Sequence, residues 1–141
     1  MDIILPRGLR NHNPLNIRKS SAAWQGLAKV QSDKAFCVFV SNEYGYRAAF
    51  KQLKTYMVRD GKCNIHDWIS TWAPPTENYT RNYIRQVCAM TGIPEYKKLW
   101  WTDKESMVAV VNAMALVENG TKYIDFVKES EIREGYRLAF E

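Results

Sequence analysis

The sequence predicts an α+β fold dominated by helix, with five helices and one small β-hairpin in a single domain spanning residues 1–141. Three observations carry that expectation. Apolar residues recur at three- and four-residue steps through most of the chain after position 41. Only two short apolar runs, Leu27–Val30 and Phe36–Val40, have the length and flanking turn residues of strands. A chain of 141 residues with 46% hydrophobic and 25% charged residues suits one compact core rather than two domains or a disordered tail.

Residues 1–23 carry Pro6, Gly8 and Pro14 among asparagines and serines, and they read as an ordered, turn-rich segment. The turn Gln31-Ser32-Asp33-Lys34 joins the two strand candidates. Tyr46, Ala49, Phe50, Leu53 and Met57 then define a helix capped by Ser41 or Asn42 and stopped at Asp60-Gly61. A shorter helix from about Asn64 carries Ile65, Trp68, Ile69 and Trp72 on one face, and Pro74-Pro75 ends it because the residue before a proline is pushed out of helical geometry. Thr76-Glu77-Asn78 opens a helix through Met90 with Tyr83, Ile84 and Val87 inward and Gly92 as its stop. Thr102-x-x-Glu105 has the form of a capping box. It launches Met107, Val110, Val111, Met114 and Ala115 as a buried stripe that ends at Glu118-Asn119-Gly120. A last helix from Ser130 buries Ile132, Tyr136 and Ala139.

Composition excludes several functions. No apolar run is long enough to span a bilayer, and the first residues lack the basic leader and apolar core of a signal peptide, so a soluble protein made in a host cytoplasm is expected. Cys37, Cys63 and Cys88 are an odd number without C-x-x-C spacing, which speaks for single thiols rather than disulfides or a zinc site. His12 and His66 are the two histidines, and neither sits beside a nucleophile motif. Residues 1–60 hold ten Lys/Arg against four Asp/Glu, a surplus that points to an anionic partner or simply to a solvated face.

Three carboxylates are candidates for acid–base chemistry. Glu118 ends the most apolar helix, where the negative end of the helix dipole favours the protonated carboxyl that general acid catalysis needs; a surface carboxylate in a C-cap turn is the alternative. Glu77 lies in a rigid turn at a helix N-terminus, where the dipole keeps it charged. Glu43 sits in a first turn and reads chiefly as a dipole partner. The cluster Arg10, Asn11, Asn13 and Asn16 is dense in amide donors and acceptors that suit sugar hydroxyls and N-acetyl groups, although turn formation alone also explains asparagines there. Trp24 and Asn78 complete the candidate substrate-binding set, with Trp72, Trp100 and Trp101 as further aromatics that either stack on sugars or fill the core.

These residues resemble a phage and prophage family. Arg10-Asn11-His12-Asn13-Pro14-Leu15-Asn16-Ile17-Arg18 is similar to its R-N-N-N-P-G-N-I-R opening. Trp24-Gln25-Gly26, Phe36-x-x-Phe39-x-Ser41-x-Glu43-x-Gly45-x-Arg47-Ala48, Trp72-Ala73-Pro74-Pro75-x-Glu77-Asn78-x-Thr80 and Glu118-Asn119-Gly120 follow in the family's order. His12 stands where the pattern has Asn, Leu15 where it has Gly, and Val117 where it often has His. The resemblance is to virion structural proteins with a lysozyme-like, peptidoglycan-cleaving domain. It implies a lysozyme-like fold, in a circularly permuted order because the Asn-rich segment precedes Glu-Asn-Gly instead of following it.

The resemblance further implies a peptidoglycan hydrolase, a muramidase or lytic transglycosylase, that cleaves the glycan β-1,4 linkage. Glu118 would be the general acid, with Glu77 and then Glu43 as the second carboxylate if one takes part. No metal or organic cofactor is implied. Bacterial peptidoglycan and other virion proteins are the expected partners, and a monomer is expected, riding in the virion or released to the cell wall. A catalytically silent virion or glycan-binding module is the alternative, and a nucleic-acid-binding role rests on the basic N-terminal half alone. In space, the end of the Glu118 helix should face Asn11–Arg18, with the 36–40 region as one wall and the Trp72–Asn78 turn as a brace.

Overall fold

The computed structural model describes residues 4–73 and 76–141, except for the side chains of Glu77 and Asn78. The elements are α1 (Arg7–Arg10), α2 (Asn42–Asp60), α3 (Ile65–Trp72), α4 (Glu77–Thr91), α5 (Lys104–Asn119), a 3-10 segment (Thr121–Phe126) and α6 (Glu129–Phe140). They form one domain, mostly helical, around a continuous core. Among the described residues no helix is long and apolar enough to cross a membrane.

The periodic stripes become buried faces. Tyr46, Ala49, Phe50, Leu53 and Met57 of α2 are buried, as are Tyr83, Ile84 and Val87 of α4 and Ile132, Tyr136 and Ala139 of α6. Helix α5 is central: it touches α1, α2, α4, α6 and the 3-10 segment. Its Met107, Val110, Val111, Met114 and Ala115 are at or near zero exposure. Each such side chain stabilises the fold by roughly 1.5–3 kcal/mol through transfer from water, less for alanine. Local signals set the ends. Asn64 Oδ1 accepts from the Asp67 amide at 2.8 Å to start α3, and Thr76 Oγ1 accepts from the Tyr79 amide at 3.2 Å to start α4. Gly61 and Gly92 stop α2 and α4 in the left-handed conformation, at φ 67° and 72°.

Two local expectations need correction. The cap of α5 is Asp103, whose carboxylate accepts from the Ser106 amide and hydroxyl at 3.3 and 2.6 Å. The expected box partner Glu105 instead forms a fork with Arg133 of α6 at 2.8 and 3.0 Å. The β-hairpin is reduced to two isolated bridges, Arg18 with Phe36 and Leu27 with Phe39. The Gln31 amide explains why. It donates to the Val38 carbonyl and accepts from the Val38 amide, both at 2.8 Å, and so takes the ladder positions that a paired strand would fill. Residues 35–40 are instead shared between two segments: the Lys19 and Ala28 amides donate to Ala35 and Val38 carbonyls, and the Cys37 amide donates to the Ile17 carbonyl. Two short features unmarked by periodicity, α1 and the 3-10 segment, complete the chain.

The α2–α6 crossing is the most extensive helix contact, and Gly135 permits it. A Cβ at that position would lie 2.6 Å from Tyr46 Cβ and 3.0 Å from the Glu43 carbonyl oxygen. Gly135→Val is therefore expected to cost about 2 kcal/mol or more by overpacking. Urea unfolding followed by circular dichroism checks this, and a valine variant as stable as the parent would contradict the close crossing.

Candidate functional site

A solvent-open groove of about 560 Å³ lies where the N-terminal segment, the ends of α3 and α5, and the start of α4 meet. Glu118 lines it, and among the described lining residues it is the one carboxylate. The last turn of α5 carries it there because the rest of that helix is fixed in the core. Asn16 lies opposite, and its Nδ2 donates to Glu118 Oε1 at 2.8 Å across 102 positions of sequence.

Burial raises the Glu118 pKa above its ordinary 4.5. Hydrogen bonds from Asn16 and Tyr83, and the nearby Arg18 charge, act in the opposite direction and limit that rise. Desolvation is thus the leading cause, where the sequence argument rested on the helix dipole. Tyr83 is fully buried in α4, and its hydroxyl also reaches the Met114 carbonyl at 3.4 Å. A carboxyl so placed keeps its proton to higher pH while remaining at the edge of an open groove, the condition a general acid needs.

The other candidates separate. Asn16 and Trp24 line the groove. Asn13 does not: it is fully buried, its amide donates to the Ile17 and Cys37 carbonyls at 3.0 and 2.9 Å, and its Oδ1 accepts from the Ile17 amide. It holds the loop's shape and has no free group for a sugar. Asn11 is engaged as well, donating to Asp33 at 3.0 Å beside the Arg7 fork on the same carboxylate. Arg10 is exposed at the end of α1 and is not part of the groove lining. Glu43 is also outside the lining; its backbone packs at Gly135 where α2 meets α6, because the first turn of α2 starts beyond the groove. Glu77 and Asn78, expected as a second carboxylate and a sugar-binding amide, have side chains that lie outside the described residues.

Phe36 forms one wall, with the Arg18 guanidinium over its ring at 4.8 Å. Trp72 braces the opposite side and donates from Nε1 to the Leu15 carbonyl at 3.1 Å. Sequence reasoning missed Gln52, Tyr56 and Tyr79 in the lining, since each lies on a helix face that periodicity marks only as core or boundary. Lys19 joins Arg18 in the lining, so the groove is cationic beside its single carboxylate. The departures from the family pattern also find their places. His12 and Asn16 adopt positive φ, 50° and 53°, whereas Leu15 does not and is fully buried. Losing a glycine at 15 therefore costs the loop no needed backbone freedom. Among the described residues no group of three or more His, Cys, Asp or Glu side chains is placed to hold a metal ion.

No protein-family model matches the sequence. A curated relative does: the chain is 40% identical over 137 residues to Protein P5 of Pseudoalteromonas phage PM2, covering 95% of this chain and 82% of that protein. The chain belongs to the same family as this phage protein.

Proposed function

We propose that the protein cleaves the β-1,4 glycan linkage of bacterial peptidoglycan, with Glu118 as the general acid. The observation that carries this reading is Glu118 itself: its pKa raised by burial, its carboxylate bonded to Asn16, and its side chain at the edge of an open groove of about 560 Å³. The lysozyme-like resemblance places a catalytic glutamate at a helix end. The side-chain bond between Asn16 and Glu118 supports the permuted order, since it joins two motifs that the sequence keeps far apart.

In this reading a glycan strand lies along the groove with Trp24 and Trp72 beside its sugars and Arg18 and Lys19 toward its acidic substituents. Glu118 donates its proton to the leaving glycosidic oxygen as the C1–O bond breaks. With Glu43 outside the groove, the described residues offer no second carboxylate, which favours the lytic transglycosylase course over a two-carboxylate one. The muramoyl C6 hydroxyl then attacks C1 and returns a proton to the Glu118 carboxylate, closing an anhydro ring. Glu77 is the second carboxylate in the event of a hydrolytic course. A phage protein of this kind would meet the wall at entry or lysis, alongside other virion proteins.

Glu118→Gln is expected to lower wall clearing by about 10²–10⁴-fold with the fold intact. Zymography on purified walls checks it, with mass spectrometry of the released muropeptides reporting anhydro or reducing ends. A Gln variant that clears at the parental rate would remove Glu118 from the mechanism, and a parent that binds walls without clearing them would leave a glycan-binding module.

The same substitution has a stability signature. Folding raises the Glu118 pKa, so the folded state holds this proton more tightly than the unfolded chain. That contribution is fully present below the ordinary glutamate value and is lost as pH rises through the raised one. The Gln variant has no such loss, so its stability relative to the parent should improve as pH rises above the ordinary glutamate range. Paired urea titrations across that range measure it, and a pH-independent difference would contradict the raised pKa.

A further inference from the structure

A second cavity, of about 600 Å³, shares no lining residue with the groove. Helix α3 contributes His66 and Ser70, one turn apart, and α4 contributes Arg81 and Arg85, also one turn apart, with Ile84 and Cys88 beside them. Glu95 and Tyr96 close it from the following loop. We propose that this cavity binds a phosphate monoester, held by the Arg81 and Arg85 guanidiniums and the Nε2 edge of His66.

The charge arrangement is the first ground. Like charges four residues apart on a helix repel. Arg81 and Arg85, like Arg10, Arg18 and Arg47, have no ion pair among the described residues, which leave out the side chain of Glu77 one turn before Arg81; the cavity is where two such guanidiniums share one lining. The cavity's one carboxylate among the described lining residues is turned to the imidazole of the same lining and not to the arginines: Glu95 Oε2 lies 2.6 Å from His66 Nδ1. An anion between the two guanidiniums would relieve the repulsion, and their planar forks fit phosphate oxygens two at a time.

The imidazole is the second ground. Its backbone amide donates to the Glu95 carbonyl at 3.1 Å, its ring stacks on Tyr96 at 4.8 Å, and Glu95 accepts from its Nδ1. Held at Nδ1 and on one face, the ring has Nε2 left as its free polar corner, where it accepts from the O–H of a singly ionised phosphate ester. The exposed Ser70 hydroxyl lies one turn away on the same helix. Donors arriving from α3 and from α4 suit a tetrahedral group with three oxygens better than a planar carboxylate. Ile84 and Tyr96 offer an apolar edge for the body of the ester. Burial, and then the Glu95 charge, hold the Cys88 thiol protonated, so this thiol is a wall and no covalent step is involved.

The test is a titration of the full-length protein, with backbone amide shifts as readout, using phenyl phosphate, inorganic phosphate, benzoate and benzyl alcohol. Saturable shifts are expected at Ser70, Arg81, Arg85 and Tyr96 with phenyl phosphate, weaker ones with inorganic phosphate, and none with benzyl alcohol. The double variant Arg81→Gln/Arg85→Gln should lose about tenfold or more in affinity while unfolding at the same urea concentration, and should clear cell walls as the parent does. Absence of saturable shifts, an unchanged affinity in the folded double variant, or equal binding of benzoate or benzyl alcohol would each overturn the proposal.

Discussion

The buried amide of Asn119 donates to the Pro14 carbonyl at 2.7 Å and to the Ala115 carbonyl at 2.9 Å, so the last turn of α5 and the N-terminal loop are held by one side chain. Asn13, the other fully enclosed polar residue, fixes the loop internally and to Cys37. Without these two amides the 11–18 segment would have no reason to lie across α5, and Asn16 would not meet Glu118. Gly8 adds a steric condition. A Cβ there would come within 2.7 Å of Asn119 Oδ1 and 2.8 Å of Asn16 Oδ1, so α1 can cover the two amides only with its bare backbone.

The groove inherits its electrostatics from that arrangement. Glu118 loses water because the loop and α4 close around it, and the same closure brings the Asn16 amide and the Tyr83 hydroxyl to its oxygens. The two effects oppose each other, and burial dominates. A carboxyl balanced in this way gives up its proton to a substrate more readily than one buried without partners, since the product carboxylate is already solvated by donors in place. The cationic residues Arg18 and Lys19 are supplied by the same loop, so acid and anion-attracting wall are positioned together.

The helices were legible in the sequence because period, cap and stop agreed with one another. Met107 to Ala115 and Tyr46 to Met57 are buried along the faces their spacing indicates. The hairpin was not legible as it stands, because an apolar run says nothing of a glutamine seven positions before Val38 that substitutes its own amide for the partner strand. The cap of α5 moved by one residue for a comparable reason: Thr102 and Glu105 match a pattern, but Arg133 from α6 competes for Glu105. At the site, Glu118, Asn16 and Trp24 could be named from residue type and motif. Asn13 has the same chemistry as Asn16, and only three-dimensional packing decides that one is turned inward and the other toward the carboxylate. Tyr79 was invisible as a groove residue and Tyr83 as a partner of Glu118, since both roles arise only once α4 is docked on α5.

The pairing of Asn16 with Glu118 also has a history in time. A ribosome delivers residues from the N-terminus at roughly 5–20 per second, so Asn16 waits on the order of 5–20 s for a partner 102 positions later. Until α5 has emerged the loop can meet residues 35–40 and Trp72 but not Glu118, and the groove lacks its carboxylate. Whatever the groove does is thereby withheld from the nascent chain until residue 118 has been added. By the same token a single cut between the loop and α5 that lets them drift apart would dismantle the groove while leaving most of the helical residues untouched. Continuity of the chain from residue 16 to residue 118 is built into the site as a condition of its existence.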